Sequence, residues 1–122
     1  MTGVGNAISV RIRQLDRRAE RAADEFDPDP PDEARAEELL RQGVGPTIAC
    51  YCEARTGDAW HRFDEAEFER LEGTLDRWLA LYGACYGVDL DGTYPVRTAA
   101  ELLVDTRDIC DVAAVLTGVP DR

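Results

Sequence analysis

One run of apolar residues limits what this chain can fold into: Phe68, Leu71, Leu75, Trp78, Tyr82 and Cys85. The steps between them are three, four, three, four and three. That spacing lays the side chains along one side of a helix and does not fit the two-residue alternation of a strand. Both ends are marked. Asp64 stands where a side-chain oxygen caps a first turn, with Glu67 three residues on in the manner of a capping box. Phe63 and Phe68 occupy the two positions of a hydrophobic staple. Gly87 follows the last seam residue, at the place of a left-handed C-cap. The spacing therefore predicts a helix over 64–86. Its second half, from Trp78 to Tyr86, is apolar on almost every side, so other helices or a second subunit must enclose it. Gly73 and Gly83 each cost about 1 kcal/mol against alanine inside such a helix, and glycines of this kind can mark a close backbone approach.

The other elements follow by the same reading. Ile8, Ile12, Leu15, Ala19, Ala22 and Phe26 predict an N-terminal helix within 1–26, capped by Asn6 or Ser9. Asp27-Pro28-Asp29-Pro30-Pro31 breaks the chain, because prolines remove donors and force extended geometry. A short helix is expected near 32–42, ended by Gly43 and lying on the surface, since its apolar content is thin. Residues 47–55 alternate well enough for a strand, but no partner strand is evident, and a lone hairpin is marginal. Helix is the reading adopted there, with Pro46 at its start. Thr98 and Glu101 form a capping box for a last helix that Gly118 and Pro120 stop. The fold class expected is all-α, a bundle of four to five helices in one domain over 1–122, with its helical core over 32–118.

Charge narrows the function. The chain has 25 acidic residues against 14 basic ones, and every basic residue is arginine. A formal net charge of −11 disfavours general nucleic-acid binding, which needs bases to neutralise phosphates. It also makes the chain repel itself at low salt, an effect that molar salt screens. The first helix is the local exception, with Arg11, Arg13, Arg17, Arg18 and Arg21 on its flanks. They are read as partners for acids on neighbouring helices, ahead of a contact face for an acidic partner. This lysine-free, acidic composition resembles the cytosolic proteins of salt-accumulating haloarchaea. As a whole, the chain resembles the small acidic proteins of unknown function that haloarchaea encode in number.

Few residues carry chemistry. Cys50, Cys52, Cys85 and Cys110 match structural zinc in number but not in spacing, which lacks paired knuckles. On a helix, Cys50 and Cys52 point about 200° apart. They are read as buried hydrophobes, with a zinc site as the alternative. His61 is the one histidine of the sequence. Arg55 and His61 are separated by five residues, and this spacing resembles the Arg…His pair of all-helical HEPN ribonucleases. The resemblance implies Arg55 as the phosphate-stabilising residue and His61 as the acid/base, although Gly57-Asp58 interrupts the helix that carries the pair in that family. Trp60, His61 and Phe63 cluster just before the central helix, where they either anchor a partner or close the core.

No charged-then-apolar leader opens the sequence, and Trp78 to Val88 falls far short of the ~20 apolar residues of a membrane span. The expected role is that of a cytoplasmic, non-enzymatic interaction or regulatory module without a cofactor, assembling with itself or with a protein partner.

Overall fold

The computed structural model describes residues 4–25, 33–56, 63–90 and 92–119. The proline break over 27–31 lies outside them. The described residues form helices α1 (Val4–Glu25), α2 (Glu33–Leu39), α3 (Gly45–Thr56), α4 (Glu65–Ala84), α5 (Val96–Thr106) and α6 (Ile109–Thr117), and contain no strand. One π-helical turn, Leu40–Val44, joins α2 to α3. The all-α expectation holds, and 47–55 is helical.

Helix α4 is the axis. Leu71, Leu75, Trp78, Tyr82 and Cys85 of the seam are buried, as are Thr74 and Leu79 beside it. The Asp64 carboxylate accepts a hydrogen bond from the Glu67 N–H at 2.7 Å, as a side-chain cap should. The staple is in place, with the Phe63 and Phe68 rings 6.0 Å apart. At the other end Gly87 is left-handed (φ 75°). Its N–H donates to Ala84 and the Val88 N–H donates to Gly83, the two bonds of a Schellman motif. Gly83 is a close approach: a Cβ there would lie 2.4 Å from Leu90 Cδ1. Gly73 is not, because nothing lies within 4 Å of its would-be Cβ.

Helix α1 packs along α4 and α3. It begins at Val4, so Asn6 and Ser9 stand within it and not ahead of its first turn. The Ser9 hydroxyl instead donates to the Glu67 carboxylate. Arg11 pairs with Glu53 of α3, while Asp16 and Glu20 accept from Arg77 of α4 at 2.7 and 3.2 Å. The pairing expected of the α1 arginines is met by Arg11, whereas Arg13, Arg17, Arg18 and Arg21 are exposed. These pairs are solvent-exposed or nearly so, and each contributes about 0.2–1 kcal/mol at most.

Two boundaries differ from the expectation. Gly43 does not end a surface helix, since Ala36, Leu39, Leu40, Gly43 and Val44 are all buried and the chain continues helically into α3. Pro46 explains the π turn. A proline within a helix donates no hydrogen bond and crowds the carbonyl four residues back. One wider turn, in which the Gly45 N–H reaches the Leu40 carbonyl, absorbs that conflict. The second difference lies near the C-terminus, where two helices replace one. Arg107 turns left-handed (φ 56°) and ends α5, and Asp108 then caps α6 by accepting from the Cys110 N–H at 2.9 Å. Helix α5 itself begins at Val96, ahead of Thr98. Its first N–H groups are served from α4: Val96 N–H donates to Glu72 at 3.0 Å, and the preceding Tyr94 N–H donates to Asp76 at 2.8 Å. Burial pushes the Asp76 carboxyl above its ordinary range, Tyr94 opposes the rise, and the nearby Glu72 adds to it. These two acids thus tie the start of α5 and the loop before it to α4.

Candidate functional site

Helix α5 packs on α3, and its buried residues are Val96, Ala99 and Ala100. Beside this contact an open groove of about 1070 Å³ is lined by both helices. The α3 wall is Tyr51, Cys52 and Arg55. The α5 wall includes Ala100, Leu102 and Val104. Val104 is 70% exposed, more than Val10, Val88 or Val115, the other large apolar residues left open to solvent. Tyr51 is held from behind by the core: its ring is parallel to Phe63 at 6.0 Å and edge-on to Phe68 at 6.4 Å. An apolar floor on a rigid backing is therefore presented to solvent.

The groove is edged by charge. Arg55 comes from α3, while Arg97 and Arg107 come from the two ends of α5, with Glu101 and Asp105 between them. Arg97 lies 3.8 Å from Glu101 one turn along the same helix, an exposed pair of little strength. Three cations against two anions give the groove a positive balance within a chain of net charge −11. Local fields of this sign select anionic groups, and arginine offers them a planar two-pronged donor.

A family model matches residues 6–121. The chain belongs to DUF8055, a domain of unknown function. No curated protein and no solved structure matches it.

Of the candidate residues of the DUF8055 chain, Arg55, Phe63 and the four cysteines are described and Trp60 and His61 are not. Arg55 is exposed on the groove, and His61 lies outside the described residues, so the Arg–His arrangement of the ribonuclease reading is not on view. Trp60 is likewise outside them. Phe63 is half-buried and packs within the aromatic cluster behind the groove. The four cysteines do not come together: none is in a disulfide, and no cluster of three or more metal-ligating side chains occurs among the described residues. Cys50 and Cys85 are buried as read, but Cys52 is half-buried and Cys110 is exposed at the start of α6. Partial loss of water contact raises the thiols of Cys50, Cys52 and Cys110. A protonated thiol is a weak nucleophile and a weak ligand. Among the described residues, no helix is long and apolar enough to cross a membrane.

Sequence reading missed Arg97, Val104 and Arg107. One signal was present: Val104 falls off the apolar side of α5 that Val96, Ala99, Ala100 and Leu103 define, so it is an apolar residue facing out.

Proposed function

We propose that this protein acts by binding a partner protein, and that the α3–α5 groove receives an acidic amphipathic segment of it. The observation that carries this reading is the exposed Val104 in the wall of an apolar groove bordered by arginines. Exposed apolar surface with tyrosine and arginine at its edges is the composition of interaction sites. Charge selects the occupant: a segment with apolar residues on one side and carboxylates beside them would match the floor and the border together. Cys52 fits a binding wall, since burial keeps its thiol protonated.

Titration of isotope-labelled protein with a synthetic helical peptide of leucine and glutamate tests this. Saturable amide shifts are expected over Tyr51–Arg55 and Arg97–Arg107, lost when Val104 is replaced by aspartate. Shifts confined to other helices, or none at millimolar peptide, would refute the groove. Concentration-dependent shifts in the same amides without peptide would assign the groove to a second copy of the chain and overturn the acidic partner.

A further inference from the structure

Among the described residues, three adopt a left-handed backbone: Gly87, Gly118 and Arg107. Each sits at the end of a helix, α4, α6 and α5 respectively. Glycine is the usual residue at such ends, because a Cβ there crowds the following carbonyl. At two of these positions the chain uses glycine. At the third it carries arginine, the residue that closes one end of the groove. The structural task at this position needs no side chain, since the backbone N–H of Arg107 donates to the Leu103 carbonyl at 2.7 Å. Its side chain is exposed and joins no ion pair among the described residues.

We infer that Arg107 is a specificity-determining residue of the groove, held in an unfavourable backbone conformation so that its guanidinium can grip a carboxylate of the bound segment. This inference rests on the groove being the binding site. Strain kept at a position the fold could satisfy with glycine is characteristic of functional clamps. The guanidinium forms two parallel hydrogen bonds to a carboxylate, a geometry lysine cannot supply.

The test compares wild type, Arg107→Gly and Arg107→Lys, with the leucine–glutamate peptide and its leucine–glutamine counterpart as probes. Arg107→Gly is expected to raise the melting temperature by roughly 3 °C. It should weaken the glutamate peptide by roughly five- to tenfold and leave the already weaker glutamine peptide unchanged. Arg107→Lys should fall between the two on the glutamate peptide. A lower melting temperature in Arg107→Gly would show that arginine serves the fold and overturn the inference. Equal affinity of wild type and Arg107→Gly for the glutamate peptide would overturn it while leaving the groove in place. Failure of both peptides to bind wild type would overturn the groove reading, and the role of Arg107 with it.

Discussion

Replacing Gly43 with alanine is expected to lower folding stability by about 3 kcal/mol, at the upper end of what overpacking a core costs. An added Cβ would sit 2.0, 2.2 and 2.4 Å from three atoms of the Trp78 indole, well inside contact distance. The ring has no room to retreat, because Trp78 is 2% exposed and the neighbouring Leu75 and Leu79 are fully buried. Alanine's better helix propensity returns about 1 kcal/mol of the loss. The Trp78 Nε1 donor is buried and has no hydrogen-bond partner among the described residues. Gly73→Ala supplies the opposite sign. That glycine is exposed in a helix with nothing near its would-be Cβ, so alanine should stabilise by about 1 kcal/mol. Denaturant midpoints of the two variants check both. A neutral Gly43→Ala would mean that α2 and its π turn do not press on α4.

Leu75→Ala and Val104→Ala should separate the core from the groove. Leu75 is fully buried in the α4 seam. Its truncation removes apolar burial and leaves a cavity that close-packed neighbours fill only in part, a loss of about 3 kcal/mol. Val104→Ala removes less from a side chain already mostly in water, and alanine suits a helix better. Its effect on stability should lie within about 0.5 kcal/mol of zero. An apolar residue that gives the fold so little is available for another task, and the peptide titration then asks whether that task is binding. A loss above 2 kcal/mol at Val104 would place it in the core and remove it from the groove's wall.

What the sequence showed of this fold depended on which signal was read. At α4 the cap, the staple, the seam and the terminal glycine agree, and the helix is legible to within two residues. Around Gly43 two signals conflict. Gly43 and Pro46 punctuate the chain, yet Ala36, Leu39, Leu40, Val44, Thr47, Ile48 and Tyr51 keep a helical spacing across both. Periodicity was the better guide, because tertiary burial rewards a continuous apolar face and a π turn can accommodate one proline. At α5 and α6 the error runs the other way. Leu102, Thr106, Ile109 and Ala113 are spaced as one seam, but Asp108 with Asp111 three residues on marks a new helix start, much as Asp64 and Glu67 do. The groove was hardest to foresee. Its arginines come from α3 and from opposite ends of α5, and only the packing of the two helices brings them together.

Amide hydrogen exchange is the most direct measurement of the central claim, that the molecule is built around an enclosed α4 with its binding groove on the outside. The slowest amides should run from Leu71 to Tyr82 and exchange only through global unfolding, while those at the α5–α6 break, Thr106 to Asp108, exchange by local opening. Exchange over Leu71–Tyr82 as fast as at that break would contradict the account.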